Sequence, residues 1–231
     1  MKASPDTITL AGLIGEPSRM HMLLELLSGK CMPASELAGA ARITPQTASS
    51  HLAKLVEGGL LTVELSGRHR YYKLAGPEVA DALEALNTLA RPKPVKSLRE
   101  YDRLNHLRFA RTCYDHLAGE AGVALADRLL ETGIIGQSGR DFTVTEKGEI
   151  FLRAFGINCA ELRRSRRQFA KCCLDWSERR YHIAGSLGAA LTEQLFRREW
   201  IERIPGGRAV RITDTGRDGL RHLGVDLNLL R

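Results

Sequence analysis

An internal repeat constrains the fold of this chain more than any other feature. The segment HLAGEAGVAL at residues 116–125 returns as HIAGSLGAAL at 182–191, with six of ten positions identical at a constant offset of 66. The similarity continues downstream, where FTVTEKGEIFLRAFGIN (142–158) aligns with VRITDTGRDGLRHLGVD (210–226) after two extra residues in the second copy. Such a duplication is typical of two similar supersecondary units packed together.

The sequence of each copy predicts a helix, a short strand, a glycine-containing turn, a second strand and a helix capped by threonine. The two copies span residues 113–158 and 179–226, and their order of elements matches the closing half of a winged helix. Two interpretations of the duplication stay open. A cleft between the copies is a natural ligand site, whereas a purely structural repeat would only enlarge a dimer.

The chain is long enough for two domains, with 231 residues of which 43% are hydrophobic. The expected class is mainly α with short β-hairpins (α+β): an N-terminal winged helix-turn-helix domain (1–91), a linker (92–98) and a duplicated helical domain (99–231) with two wing-like repeats. No apolar run is long enough to span a membrane, and MKASPDTITL lacks the apolar core of a secretory signal. We therefore expect a cytoplasmic protein without membrane contact.

The net charge of +7 is distributed unevenly along the chain. Residues 1–91 carry nine basic and nine acidic side chains, while residues 92–231 carry 25 and 18. A basic balance favours nucleic acid or acidic partners but identifies none of them. The function of the first domain must therefore come from local patterns.

Two short helical patterns, ASELAGAARI and TPQTASSHLAKLVEGGLL, follow a first amphipathic helix that begins at PSRMHMLLELL. Thr44 is suited to cap the second of them, and Pro45 suits a first helical turn. The stripe opposite its apolar residues is almost entirely composed of hydrogen-bond donors, with no acid before Glu57: Gln46, Thr47, Ser49, Ser50, His51 and Lys54. Such a face suits a DNA groove, because phosphates repel carboxylates and short polar side chains bind base edges.

A predicted hairpin, LLTVEL and RYYKL, follows this helix and carries basic residues at and beside its turn, including Arg68 and Arg70. A helix-turn-helix followed by a basic hairpin indicates a winged helix, in which the second helix enters the major groove and the wing binds the flanking backbone. An ordinary helix pair with a solvated hairpin is the alternative.

The segments SELAGAARITPQTASSHLAKLVEGGLL and GRHRYYKLAGPEVADAL resemble the ArsR/SmtB family of bacterial repressors over residues 6–91. The resemblance implies a homodimer, paired through the first helix and residues 76–90, that binds an inverted-repeat operator and is released by a signal. By position it places the following residues against DNA: Thr44, Gln46, Thr47, Ser49, Ser50, His51, Lys54, Arg68 and Arg70.

The chain departs from the family where many members bind metal. SELAGAA contains no thiol in place of the family's Cys-x-Cys element, and GPEVADALEALNTLA offers Asp81 but no histidine. Neither familiar metal site can be assigned, so the effector is not implied by the resemblance.

The C-terminal region carries no phosphate-binding glycine loop, nucleophile elbow or HExxH motif, so we do not expect an enzyme. The five cysteines form no CxxC pair, which argues against a disulfide framework or a structural zinc finger. Thiols and histidines nevertheless cluster near the two copies: Cys113, His116, Cys172, Cys173 and His182.

Placed on helices, Cys113 and His116 would share one face at a spacing of three residues. These side chains could bind a soft metal or metalloid, form a reversible disulfide, or simply fill a core. A thiol- or metal-responsive repressor is therefore the alternative function. ELRRSRRQFAK (161–171) is expected to form a helix with positive charge around much of its circumference.

Overall fold

The computed structural model of the chain describes residues 4, 6–139 and 141–227. It consists of helices and short antiparallel hairpins, which confirms the α+β prediction. The chain divides into two compact units, Met1–Glu84 and Ala85–Arg231. Among the residues described, none of the helices is both long and apolar enough to cross a membrane.

The first unit is a winged helix with a three-stranded sheet of order β1-β3-β2. Its elements are α1 (Thr7–Ile14), α2 (Pro17–Leu26), β1 (Met32–Pro33), α3 (Ala34–Ala41), α4 (Pro45–Glu57), β2 (Leu61–Ser66), β3 (His69–Leu74) and the first part of α5 (Pro77–Leu89). The helix-turn-helix of α3 and α4 and the wing of β2 and β3 are confirmed.

Local sequence explains how α4 begins and which face it buries. The Thr44 hydroxyl accepts a hydrogen bond from the Thr47 N–H at 3.2 Å, which satisfies one of the free donors at the helix start. Ala48, Leu52 and Leu55 are completely buried against the core of this unit. Burial of this stripe fixes which side of α4 remains in solvent.

The second unit contains the repeat. Its elements are the end of α5, then α6 (Leu98–Phe109), β4 (Arg111–Cys113), β5 (His116–Ala118), α7 (Glu120–Glu131), β6 (Ile135–Ser138), β7 (Asp141–Val144), α8 (Glu146–Ala154), α9 (Cys159–Arg163), β8 (Lys171–Leu174), β9 (Tyr181–Ala184), α10 (Gly185–Arg197), β10 (Ile201–Arg203), β11 (Val210–Ile212) and α11 (Asp214–His222). The predicted linker, 92–98, has no helix or strand before Leu98.

Each copy of the repeat begins with a hairpin, not with a helix as the sequence predicted, so in the structure the copies start at Arg111 and Lys171, earlier than the predicted starts at residues 113 and 179. HLA and HIA are the strands β5 and β9, and the helices α7 and α10 start only after them. Gly119 (φ +81°) and Gly185 (φ +77°) make the corner, a backbone conformation that glycine adopts at little cost. His116 and His182 are therefore strand residues.

The second half of each copy follows the predicted order of helix, hairpin and threonine-capped helix. Thr145 caps α8 by accepting from the Gly148 N–H at 3.0 Å, and Thr213 caps α11 by accepting from the Gly216 N–H at 2.9 Å. The two copies therefore share the same threonine cap at equivalent positions.

The two copies exchange strand pairings. Strand β7 of the first copy pairs with β8 of the second, giving a sheet of order β6-β7-β8-β9. Reciprocally, the β10–β11 hairpin of the second copy meets β4 of the first, through a bridge between Arg111 and Ala209 and the bond from Val210 N–H to the Ala110 carbonyl. Helices α7 and α10 pack against β9 and β5 in the same crossed manner, so each copy covers the other.

The basic segment 161–171 is not the predicted helix. Only α9 is helical, and it ends at Arg163. The carbonyls of Gln168 and Phe169 accept from the Ser186 and Leu187 N–H groups at the start of α10, so this part of the segment bonds to α10.

Candidate nucleic-acid interface and buried cysteine-histidine cluster

The predicted DNA-facing stripe of α4 is exposed in the first unit. Six of the predicted contacts lie in solvent on this helix and at its cap: Thr44, Gln46, Thr47, Ser49, Ser50 and Lys54. All six can donate hydrogen bonds, and the exposed carboxylate of α4, Glu57, lies at the last residue of the helix. The exposed face therefore carries the chemistry that base edges and phosphates require.

His51 differs from the other predicted contacts on α4. Its ring is half-buried against α2, where Nδ1 lies 3.3 Å from Arg19 Nη1 and Nε2 lies 3.7 Å from Glu16 Oε2. The side chain is thus engaged with the first unit's own residues, a contact that helical spacing alone did not reveal.

The wing places its two predicted arginines in solvent. Arg68 lies in the turn and Arg70 on β3, and both are exposed. A surface groove is lined by both of them and by Ser49 of α4. Of the predicted contacts on α4, Ser49 therefore shares a groove with the basic wing, and the Glu57 carboxylate at the end of α4 lines the same groove.

In the second unit, four of the five predicted sensing residues meet in one buried cluster. The ligand atoms of Cys113, His116, Cys173 and His182 all lie within 4.8 Å of one another, and each residue is at most 8% exposed. We call these four residues the Cys2His2 cluster. The two sulfurs are 3.9 Å apart, a contact between thiols rather than a disulfide, and the two imidazole centroids are 5.1 Å apart.

The hairpins explain this convergence. Cys113 faces His116 across β4 and β5, and Cys173 faces His182 across β8 and β9. The predicted helix face shared by Cys113 and His116 is therefore wrong, because the two residues are cross-strand partners. Each copy contributes one cysteine and one histidine.

Cys172 lies outside the cluster, because neighbouring residues of a strand point to opposite faces. It pairs with Ile183 in the ladder and packs into the main hydrophobic core of the second unit. Burial, together with the nearby Asp141 carboxylate, raises the pKa of its thiol to about 11. This residue is a core cysteine.

A carboxylate lies beside Nδ1 of each histidine of the cluster. Asp115 Oδ1 lies 3.3 Å from His116 Nδ1, and Asp115 is held by the guanidinium of Arg167, whose Nη2 donates at 2.9 Å. Asp175 Oδ2 lies 3.4 Å from His182 Nδ1, and Asp175 is held by Arg111. Such pairs fix the orientation of an imidazole ring.

Burial and neighbouring charges act against each other at these groups. Burial favours neutral His116, but the Cys113 and Asp115 side chains beside it raise its pKa above the usual value. Burial likewise opposes ionisation of Asp175, but contacts with His182 and Arg111 hold the pKa of that carboxyl well below its usual range. Nε2 of His116 and both ring nitrogens of His182 are buried with no hydrogen-bond partner among the described residues, so the 3.4 Å approach of His182 Nδ1 to Asp175 is an ion-pair contact without hydrogen-bond geometry.

Two glycines lie where the histidines pack on the helices. A Cβ added to Gly122 of α7 would lie 2.6 Å from the Leu117 carbonyl oxygen of its own copy and 3.7 Å from His182 Cβ. One added to Gly188 of α10 would lie 2.2 Å from the Ile183 carbonyl oxygen of its own copy and 3.1 Å from His116 Cβ. Each histidine therefore packs on the helix of the other copy, which is what an internal two-fold axis produces.

The alignment of the two copies by sequence did not pair Cys113 with Cys173. RFARTC (108–113) corresponds to QFAKCC (168–173) at an offset of 60, whereas the histidines are offset by 66. The difference arises inside the hairpins, because two residues (114–115) separate Cys113 from His116 and eight (174–181) separate Cys173 from His182. A comparison that allowed this insertion would have found the pair of cysteines.

Comparisons with known proteins concern both units. Residues 14–64 match the family model described as a helix-turn-helix domain. The uncharacterized HTH-type transcriptional regulator YdfF of Bacillus subtilis (strain 168) is 48% identical over 225 residues, which is 97% of this chain and 100% of YdfF.

A shorter similarity covers about a third of the chain. The HTH-type transcriptional regulator CmtR of Mycobacterium tuberculosis (strain ATCC 25618 / H37Rv) is 35% identical over 77 residues, which is 33% of this chain and 64% of CmtR. The NMR structure of the cadmium metal-sensor CMTR from Mycobacterium tuberculosis covers 40% of this chain and 99% of its own, with 30% identity and a TM-score of 0.31.

Proposed function

The chain belongs to the HTH-type transcriptional regulators, and we propose that it is a homodimeric repressor that binds an inverted-repeat operator and is released by a signal. The observation that carries this proposal is the shared groove of the first unit. Ser49 of α4 and the two arginines of the wing line the same surface, beside Glu57 at the end of the helix. Helix and wing can then engage one stretch of duplex together.

The two parts of this surface have different roles in the proposal. Gln46 and Thr47, in the first turn of α4, would contact base edges in the major groove, because recognition helices use their N-terminal residues for this purpose. Arg68, Arg70 and Lys54 would contact phosphates, which supply affinity without sequence preference. The contact between His51 and α2 assigns it a role in orienting α4 in addition to any contact with DNA.

Exposed apolar side chains support a homodimer. In α1, no residue is buried, and Ile8 and Leu10 are large apolar residues in solvent. In α5, Leu86 and Leu89 are exposed as well. A second copy of the chain is the occupant that the family resemblance implies for these helices, and it would remove their apolar surfaces from water.

DNA binding can be measured by fluorescence anisotropy with labelled duplex from the region upstream of the protein's own gene. We expect specific binding that is weakened at least tenfold by the double variant Gln46→Ala, Arg68→Ala. The matched control is the double variant Gln194→Ala, Arg197→Ala, which removes the same side-chain types from α10 of the second unit. Unchanged affinity of the first variant would refute the assigned contacts.

The Cys2His2 cluster favours a second form of the proposal, in which thiols or a metal supply the releasing signal. Soft ligands that converge in a buried site are characteristic of metal or redox sensing. The signal would reach the DNA-binding unit as a coupling free energy between two distinct sites.

A further inference from the structure

We propose that Cys113, His116, Cys173 and His182 bind one tetrahedral zinc-class cation on the internal two-fold axis of the second unit. The inference deepens the sensor form of the proposed function and rests on it only for the regulatory step. Binding of the ion itself is a property of the second unit and can be measured without DNA.

The donor set and its spacing match zinc. Two cysteines and two histidines form a common tetrahedral zinc environment. With sulfurs about 2.3 Å from the metal, a tetrahedron places its two sulfurs about 3.8 Å apart. The Sγ atoms of Cys113 and Cys173 lie 3.9 Å apart, so the thiol pair already has the required edge length.

The histidines present the second half of the site. Each has Nδ1 near a carboxylate, Asp115 in one copy and Asp175 in the other, and each has a buried Nε2 without a hydrogen-bond partner among the described residues. A buried polar atom left unpartnered is costly, and a metal bond would remove that cost. The carboxylates occupy the place that commonly orients a zinc-bound imidazole, so Nε2 is the ligand atom on both rings.

The charges of the cluster also suit a divalent cation. On binding, the two cysteines coordinate as thiolates and the histidines as neutral imidazoles, with two protons released to solvent. The ion and two thiolates are then neutral together. The flanking carboxylates already have cationic partners, since Arg167 pairs with Asp115 and Arg111 with Asp175, so no further charge has to be buried.

The location of the cluster gives binding a structural consequence. Each copy of the repeat supplies one cysteine and one histidine, so the ion would join the two copies directly. Occupancy of the metal site is then linked to small changes in the relative position of the two copies. A sensing site requires such a link between binding and conformation.

The first test measures binding by the full-length reduced protein. We expect one Zn²⁺ per chain in a competition titration with a chromophoric chelator. Co²⁺ in its place should give the strong visible absorption of a tetrahedral site together with thiolate charge-transfer bands. Absence of stoichiometric Zn²⁺ binding, or a Co²⁺ spectrum without thiolate bands, would overturn the proposal.

Single substitutions assign the ligands. Cys113→Ser and Cys173→Ser should each lower Zn²⁺ affinity at least 100-fold and remove a thiolate contribution from the Co²⁺ spectrum. Cys172→Ser is the matched control, because the same atom is exchanged one residue away on the opposite face of β8. Circular dichroism of each metal-free variant verifies that it folds, and His116→Gln provides an independent ligand variant. An equal loss of affinity in Cys172→Ser would refute the assignment.

The second test measures the regulatory step. DNA affinity of the zinc-loaded and the chelator-treated protein should differ at least fivefold, and Cys173→Ser should lose this difference. If Zn²⁺ binds but DNA affinity is unchanged, the site is purely structural and the sensor role is refuted. If Zn²⁺ binds and the chain binds no DNA, the proposed function fails while the metal site stands.

Discussion

Arg111 and Asp175 form a buried ion pair in the second unit, with 2.9 Å between Nη2 and Oδ1 and at most 1% of either side chain exposed. Asp175 also accepts from the Gly119 N–H at 2.7 Å, so one carboxylate joins the loop of the second hairpin to the corner after the first. Arg111 additionally lies over the ring of Trp176, 4.5 Å from its centroid.

Removing one partner of this pair should be strongly destabilising. Arg111→Met keeps most of the side-chain volume but leaves a buried carboxylate without its counter-charge, and we expect a loss of roughly 3–5 kcal/mol in the free energy of unfolding. Urea denaturation followed by circular dichroism measures it. Arg197→Met is the matched control, because its ion pair with Glu193 lies in solvent. Equal effects of the two substitutions would contradict the structural role of Arg111.

The tight packing around Gly188 predicts opposite effects of the same substitution at two glycines. An added Cβ at Gly188 would lie 2.2 Å from the Ile183 carbonyl oxygen and 3.1 Å from His116 Cβ, so Gly188→Ala should cost about 1–3 kcal/mol through overpacking. Gly39 lies exposed in α3 with no atom within 4 Å of its added Cβ. Gly39→Ala should therefore stabilise the chain by about 0.5–1 kcal/mol. Thermal melting of both variants checks the pair, and a lower melting temperature for Gly39→Ala would contradict this account.

The proposed DNA contacts differ in how they depend on salt. Arg70→Ala should weaken binding to all sequences and reduce the slope of log affinity against log salt by about one. Gln46→Ala should leave that slope unchanged and reduce discrimination at one base pair by about 1–3 kcal/mol. Anisotropy titrations over a KCl series, with operator and scrambled duplexes, measure both quantities. A Gln46→Ala variant that changes the slope but not the discrimination would reverse the two assignments.

Thiol reactivity outside the cluster should follow exposure and pKa. Burial and the neighbouring Glu149 carboxylate raise the pKa of Cys159 to about 11. The thiolate is the reactive form, so at pH 8 very little of Cys159 is nucleophilic. Cys31 is exposed, and although partial burial and Glu64 also raise its pKa, a reagent can reach it. Mass spectrometry of the native protein after brief iodoacetamide treatment should show modification at Cys31 well before Cys159, and the reverse order would refute this explanation.

The helix-turn-helix could be predicted from sequence because its signals are local. Thr44 before Pro45, followed by apolar residues at helical spacing, specifies where α4 begins and which face it buries. The exposed stripe follows from that assignment without knowledge of the rest of the fold. What spacing could not reveal is the contact of His51 with Arg19, because it depends on how α2 and α4 pack.

The hairpins of the repeat could not be predicted in the same way. Strands β5 and β9 are only three and four residues long and mostly buried on both faces, so they lack an alternating pattern that distinguishes a strand from the first turn of a helix. The small residues that follow His116 and His182 do begin helices. The helical prediction therefore extended too far towards the N-terminus and included the two histidines. The positive φ of Gly119 and Gly185, which separates strand from helix, has no signal beyond the glycine itself.

The Cys2His2 cluster is a product of long-range packing, and sequence supplied only its members. Cys113 and Cys173 belong to different copies, and the longer loop 175–180 places them at a different offset from the histidines. Adjacent Cys172 and Cys173 looked equivalent in sequence, and only the alternation of β8 separates a core residue from a cluster residue.

The crossed pairing of β7 with β8, and of β10–β11 with β4, also determines how this protein can be dissected. A break between residues 158 and 168 would place the strands of both pairings on separate polypeptides and expose unpaired backbone at the edge of each. One copy produced alone keeps its own hairpins but only half of the four-stranded sheet β6-β7-β8-β9. Two such fragments mixed together, however, carry complementary edges, and reconstitution of the whole from its halves is the behaviour that this interlocking favours.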